Sequence, residues 1–214
     1  MKIGIIGATG KAGRDIYKEA ITRGHEVTAI VREEIKAKSL LGDKVTVLEK
    51  DAFDLTGEDL NSFDVIINAF ATEPSKAYRH VDLAAKLVAL FRETKSPRII
   101  FILGAGSLKT GEDKHLFVED IKVMPGSEAW VSIPENQLKE LLFLKEVENV
   151  NWVGISPSAI FEPGEKKEVV LGQDELLIAP DGSSHTTTGT MALAVLDEIE
   201  NPKHHQERFT VRDK

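Results

Sequence analysis

Apolar residues fall in short blocks along the chain, and between the blocks they recur every three to four positions. In the N-terminal half the blocks Lys2–Ile6, Glu26–Val31, Val45–Glu49, Val65–Ala69 and Arg98–Leu103 are rich in Val and Ile and have the length of strands. They are continuously apolar rather than strictly alternating, as expected of strands covered on both faces. Between them, Lys11–Arg23 reads as a helix stopped by Gly24. Ser75–Thr94 reads as another, with Val81, Ala84, Ala85, Leu87, Val88 and Phe91 near helical spacing and Pro97 closing the segment. Strands alternating with helices predict an α/β fold, a doubly wound parallel sheet.

The pattern loosens after the fifth strand. Gly104–Ser127 has no clear period and reads as a long irregular stretch, of the kind that often carries function. Beyond it, Glu135–Val147 predicts a helix with Leu138, Leu141, Leu142 and Phe143 or Leu144 inward and Pro134 near its first turn, and Trp152–Ile155 a sixth strand. Val169–Gly172 with Glu175–Ile178 reads as a hairpin, Thr188–Glu200 as a helix behind a Ser/Thr-rich cap, and Arg208–Val211 as a closing strand. With no repeat or linker, residues 1–214 are expected to form one domain. A core over about 1–155 would carry a small C-terminal substrate lobe over about 156–214.

Composition narrows the function classes. A formal net charge of −8 disfavours a nucleic-acid partner, whose affinity rests on Lys and Arg clusters that release counterions. The chain has no cysteine, which removes disulfides, thiolate nucleophiles and cysteine metal sites. His204-His205 has no third ligand at useful spacing, so no metal is expected. No apolar run approaches the roughly 20 residues of a membrane helix, and the first strand starts at Lys2. The expectation is a cytoplasmic protein with a small-molecule partner and no membrane; the oligomeric state is left open.

The chemistry-bearing motif follows the first strand directly. In Gly7-Ala8-Thr9-Gly10-Lys11-Ala12-Gly13, the first glycine suits a tight turn, the second lets backbone approach a phosphate, and the third allows close packing of helix on strand. The helix start then offers unpaired N–H groups to an anion, as a dinucleotide pyrophosphate requires. Other strand ends converge on the same crevice. Arg32 closes strand two, where an arginine accommodates a 2′-phosphate and so favours NADP over NAD, although Glu33 and Glu34 follow at once. Asp51 and Ala52 close strand three, as an acceptor for the adenine amino group or as a turn-initiating aspartate. Ala69, Phe70 and Thr72, with Asn68 and Ala71, close strand four with mostly small residues beside which a cofactor can pass.

Taken with Ser156-Pro157-Ser158-Ala159-Ile160-Phe161-Glu162-Pro163-Gly164-Glu165, these segments resemble the atypical short-chain reductases, and most closely their NmrA-like flavin or biliverdin reductase branch. The resemblance spans nearly the whole chain and implies a Rossmann-like fold. It also implies that Gly7, Thr9, Gly10 and Gly13, with Lys11 and Ala12 between them, hold the pyrophosphate. Arg32 would hold the 2′-phosphate, Asp51 with Ala52 the adenine, and Ala69, Phe70 and Thr72 the middle of an NADP, with NAD possible. Ser107 would lie near the nicotinamide, with Pro157 and Ser158 near the substrate.

One departure narrows the chemistry. Ordinary short-chain dehydrogenases carry Tyr-x-x-x-Lys on the helix after strand five, and Ser127–Val147 contains no tyrosine. Tyr17 and Tyr78 are the only tyrosines, and neither has lysine four positions on. A conjugated acceptor needs less acid catalysis from protein, so the expected activity is NADPH-dependent hydride transfer to a flavin, quinone-like or tetrapyrrole-like acceptor. The alternative is a noncatalytic NADP-binding sensor. Ser107 is the expected hydrogen-bond partner for a substrate carbonyl, or else a loop serine bonding only backbone. His185 reads as solvated, and Trp130 and Trp152 as packing residues.

Overall fold

The computed structural model describes residues 1–214. Its strands are β1 (Lys2–Ile6), β2 (Glu26–Val31), β3 (Thr46–Glu49), β4 (Val65–Asn68), β5 (Thr94–Ile102), β6 (Lys109–Thr110), β7 (His115–Leu116), β8 (Val150–Pro157), β9 (Ile160–Glu162), β10 (Val169–Gly172), β11 (His185–Thr187) and β12 (Arg208–Asp213). The helices are α1 (Lys11–Thr22), α2 (Glu34–Leu41), α3 (Gly57–Leu60), α4 (Arg79–Phe91), α5 (Phe117–Val123), α6 (Ser132–Lys145) and α7 (Thr188–Glu200).

Eight strands form one sheet in the order β10-β12-β8-β5-β4-β1-β2-β3, parallel throughout except for β10, which runs antiparallel to β12. Each face has its own core. On one, Ile5, Ala29, Ile67 and Ile100 pack with Ile16 of α1 and Val195 and Ile199 of α7; on the other, Ile30, Ile66 and Phe101 pack with Leu83 and Leu87 of α4 and Leu141 and Leu144 of α6. Each fully buried aliphatic chain contributes about 1.5–3 kcal/mol, so burial on both faces accounts for the apolar blocks. Trp152 lies at 0% exposure in the second core and donates its indole N–H to the Val147 carbonyl at 3.0 Å.

The strand order reverses at β1, which lies between β2 and β4. Chain leaving β1 and β4 therefore parts in opposite directions and opens a crevice at the carboxyl ends of the strands.

Leu142, expected inward, is exposed, the buried leucines of α6 being Leu141 and Leu144, and the secondary structure departs from the sequence expectation in four places. Glu175–Ile178 is not a strand, so there is no hairpin: β10 pairs with β12, and Glu175 makes only a single bridge to Lys109. The cause is Asp174, whose carboxylate takes Arg208 at 2.6 Å while its carbonyl accepts the Lys109 N–H, pulling the chain off the sheet edge. Gly104–Ser127 is not irregular. It holds β6, β7 and α5, a seven-residue helix anchored by Phe117, Val118 and Ile121 and too short to show a period. Helix α2 buries only Ala37, and α3 is a single turn held by a Thr56–Asp59 capping box, so neither presents an apolar stripe to find. Finally, Ser158–Glu162 and Ser184–Thr187 form a small parallel pair, β9 with β11, fastened by the Ser158 N–H to Thr186 Oγ1 at 2.8 Å.

Candidate functional site

The turn after β1 is built from the glycines for identifiable reasons. Gly7 has φ +77°, and a Cβ there would stand 2.6 Å from the Ala69 carbonyl oxygen, so the position is closed to L side chains. The Gly10 N–H donates to the Gly7 carbonyl at 2.9 Å and tightens the turn. At Gly13 a Cβ would collide with that same carbonyl, so the helix can lie this close to the strand only with glycine there.

Helix α1 starts at this turn with Gly10 as N-cap, no side-chain cap and no acidic residue in its first turn. Its leading N–H groups thus keep both their hydrogen-bonding capacity and the positive end of the helix dipole for an anion. Helix α7 also lacks a first-turn acid, but Thr187 caps it.

A cleft of about 620 Å³ opens over this turn. Thr9 and Gly10 form one wall, Asp51 and Ala52 another, and Ala69, Phe70 and Thr72 a third, with Arg32 at the end of β2. The strand ends named from sequence do meet in one place. Lys36, Lys50, Lys76 and Arg79 join them. Several of these cations are already committed: Lys50 to Asp59 at 2.7 Å, Lys76 to Glu73 at 2.7 Å, and Arg79 lies over the Phe53 ring at 4.0 Å and 3.9 Å from Asp51. Arg32, between β2 and α2, and Lys36, in the first turn of α2, pair with no carboxylate. Of the neighbouring acids, Glu34 holds Lys38 at 2.6 Å and Glu49 accepts the Glu34 N–H at 2.8 Å, while Glu33 is exposed and pairs with no cation. The cleft mouth at β2 therefore presents two unneutralised cations, the complement of a phosphate.

Asp51 serves as cap and as cleft wall. Its Oδ1 accepts the Phe53 N–H at 2.9 Å, holding the short 3₁₀ turn Ala52–Asp54. Phe70 stands edge-on to Phe53 at 5.7 Å and to His80 at 5.4 Å, so its wall is braced from behind. Ala12 is buried at the base of α1. Lys11 points to the C-terminal segment, donating to the Phe161 carbonyl at 2.7 Å with its ammonium 4.5 Å from the Phe161 ring centre. Burial lowers its pKa from the usual lysine value, with Glu162 opposing.

Ser107, Pro157 and Ser158 lie outside this cleft. Ser107 is buried in a 3₁₀ turn after β5, donates to the Gly104 carbonyl at 3.3 Å and accepts from Arg208 Nη1 at 3.0 Å. Ser158 donates its hydroxyl to the Val211 carbonyl at 3.2 Å, and Pro157 closes the buried strand β8. Arg208 organises this side: it binds Ser107, Ser156 and Asp174 together, and burial lowers its pKa against the raising effect of Asp174. Sequence reasoning missed Lys36, because α2 was not foreseen, and Arg79, which lay within a predicted helix whose apolar stripe drew attention to other positions.

The arrangement suits a nicotinamide dinucleotide: an uncapped helix start for the pyrophosphate, a closed glycine turn beneath it, and a cationic mouth beside the adenosine position. Comparison with known proteins agrees. Residues 7–213 match the NAD(P)H-binding family. The uncharacterized protein YwnB of Bacillus subtilis strain 168 is 40% identical over 213 residues, 99% of this chain and 98% of that protein. A crystal structure from Lactobacillus casei shares 43% identity with a TM-score of 0.92, covering 100% of this chain and 99% of that one. A Streptococcus pneumoniae TIGR4 structure, named as a candidate NADH-flavin reductase, shares 32% identity with a TM-score of 0.88 over 100% of both chains. No helix is long and apolar enough to cross a membrane. The chain belongs to the NAD(P)H-binding family, with the α/β Rossmann-like fold of its relatives.

Proposed function

We propose that the protein is an NADPH-dependent oxidoreductase that delivers hydride to a flavin, quinone-like or tetrapyrrole-like acceptor. The bound nicotinamide would supply the hydride. The residues of this chain position it: Gly7 to Gly13 take the pyrophosphate, Arg32 and Lys36 the 2′-phosphate, and the Ala69–Thr72 segment passes the cofactor toward β5.

The observation that carries the reading is helix α6. It lies over the end of β5, where Pro134 and Gln137 face Gly106 and Gly104, and it presents no tyrosine there. Tyr17 is buried in α1 and Tyr78 precedes α4, and with Ile21 and Asp82 four positions on neither has the lysine that would lower its pKa for proton transfer to an isolated carbonyl. A conjugated acceptor delocalises the added charge and takes its proton from water. The name of the S. pneumoniae neighbour, a candidate NADH-flavin reductase, points to the same acceptor class. It specifies NADH, whereas the unpaired Arg32 and Lys36 here favour NADPH.

The test is to mix the protein with NADPH and FMN, FAD, a quinone or biliverdin in turn and follow loss of reduced-cofactor absorbance. At least one acceptor should accelerate the loss. Tight NADPH binding with no acceleration by any of them would refute the reductase and leave a dinucleotide-binding sensor.

A further inference from the structure

One side of α1 carries a polar residue at every fourth position, Lys11, Asp15, Glu19 and, at the helix end, Arg23, and each is bonded to the C-terminal part of the chain. Asp15 accepts from the Thr188 hydroxyl, Glu19 accepts from the Lys166 ammonium at 3.1 Å, and Arg23 donates to Asp197 at 2.7 Å. Residues four apart are neighbours on a helix surface, so these contacts form a seam along α1. Three of them lie one helical turn or more beyond the glycine turn. Lys11, the first residue of α1, makes the contact at the turn itself.

Its partner is Phe161 of β9. The Lys11 ammonium donates to the Phe161 carbonyl at 2.7 Å and stands 4.5 Å from the ring centre, and both of these groups are uncharged. It forms no ion pair: Glu162 acts on it only at longer range and sits 3.4 Å from His185. A lysine ammonium has three N–H donors, of which one is used here. Its stem also leads toward the anion position, because side chains on a helix lean back toward the N-terminus. A charge neutralised by no acid, with two donors left over, thus stands at an uncapped helix start.

Phe161 belongs to a lightly held part of the chain. β9 starts just after Pro157 closes β8 at its carboxyl end, the side of the sheet on which the cleft opens. It is three residues long and pairs only with β11, and a two-stranded pair has little stability of its own.

We infer that Lys11 is a bridging residue: one N–H of its ammonium holds the Phe161 carbonyl while the two unused N–H groups bond the dinucleotide pyrophosphate, so that cofactor binding seats residues 158–162 beside the cleft. The inference rests on the pyrophosphate lying at the start of α1. Whatever the bridge adds to pyrophosphate affinity it adds equally to the seating of the segment, since coupling between two sites is reciprocal. The pyrophosphate is common to NADP and NAD, so Lys11 should not discriminate between them, unlike Arg32 and Lys36.

The test compares the intact wild type with Lys11→Met, which keeps the stem and removes the donors, and with Lys11→Arg, which restores both charge and donors. In calorimetry with NADP⁺ and with NAD⁺, methionine should weaken both by the same factor, roughly 10-fold or more, and arginine should stay within about threefold of wild type. Hydrogen exchange reads the other half of the bridge at the Ser158, Ala159 and Ile160 amides, which are bonded to Thr186 and Ser184. Saturating NADP⁺ should slow that exchange by about 10-fold in wild type and in Lys11→Arg, and leave it unchanged in Lys11→Met even at saturation. A lysine that only fastens structure would speed exchange when replaced and leave both affinities intact, and that result would overturn the bridge. So would equal slowing by NADP⁺ in wild type and Lys11→Met, or a loss of affinity confined to NADP⁺. Failure of wild type to bind either dinucleotide would instead overturn the dinucleotide reading of the crevice, and the bridge with it.

Discussion

The cleft wall rests on a buried pair of titratable groups, and that pair makes a quantitative prediction. His80 of α4 and Glu140 of α6 are 3% and 1% exposed, with Nδ1 and Oε2 3.7 Å apart, too far for a good hydrogen bond. His80 Nε2 and Glu140 Oε2 have no partner. Burial favours the neutral form of each: it pushes the Glu140 carboxyl well above its usual 4.5 and the His80 imidazole down from 6.5 to about 4. Burial therefore favours a folded pair that keeps one proton, on Glu140, at a pH where a free carboxyl has ionised.

Unfolded, the same residues hold none above pH 6.5, one between 4.5 and 6.5, and two below 4.5. Stability therefore falls as pH rises above 6.5, is flat in pH between 4.5 and 6.5, and falls again as pH drops below 4.5 until His80 protonates near 4. Replacing the acid by an amide, Glu140→Gln, removes the extra folded-state proton. The stability of the variant minus that of wild type should then grow by about 1.4 kcal/mol per pH unit from pH 6 to 8, for as long as Glu140 stays protonated in the fold. Urea unfolding of both proteins at pH 6, 7 and 8 reads this directly, since every other titrating group cancels in the difference. A difference that is constant with pH would mean that Glu140 is ionised when folded, and the reasoning from burial would be refuted.

Other perturbations probe separate parts of the structure. Gly13→Ala places a Cβ against the Gly7 carbonyl and should push α1 off the strand, lowering NADPH affinity by at least about tenfold as read by cofactor fluorescence. Arg98 is buried and donates to the Glu198 carboxylate at 2.6 Å and to the carbonyls of Glu198 and His204, so Arg98→Met leaves those two carbonyls short of a donor and Glu198 held only by the His204 ring and the Lys203 and His204 N–H groups. It should cost about 3 kcal/mol in urea unfolding, the low end for a broken buried pair because the remaining donors still hold the carboxylate. Asp51→Ala removes the cap on Phe53 and should cost about 0.5–2 kcal/mol, with a further loss of NADPH affinity if the carboxylate also reaches adenine.

The parallel sheet was legible because burial on both faces writes itself into β1, β2, β4 and β5 as unbroken Val and Ile runs. The glycine turn was legible because three separate steric demands fall on three glycines, and Gly7 and Gly13 meet theirs at the Ala69 and Gly7 carbonyls. What could not be read depends on partners far away in sequence. The hairpin expected at 169–178 gave way to Arg208, 34 residues downstream, which captured Asp174. The same arginine engages the hydroxyl of Ser107 across 101 residues. Lys36 reaches the cleft only because α2 forms, and α2 hides only Ala37, too little to leave a pattern. Gln137 lay within a predicted helix, but its contact with Gly104, on the segment after β5, joins residues 33 apart and leaves no local pattern.

A crevice that takes NADPH through the cationic mouth at Arg32 and Lys36 should distinguish it from NADH. Calorimetric titration of wild type and of Arg32→Ala with Lys36→Ala, each with NADPH and with NADH at one fixed salt concentration, tests it most directly. Wild type should bind NADPH the more tightly, and the variant should lose about 1–3 kcal/mol in NADPH affinity per cation removed with NADH binding nearly unchanged. Equal losses for the two cofactors, or wild-type preference for NADH, would contradict it.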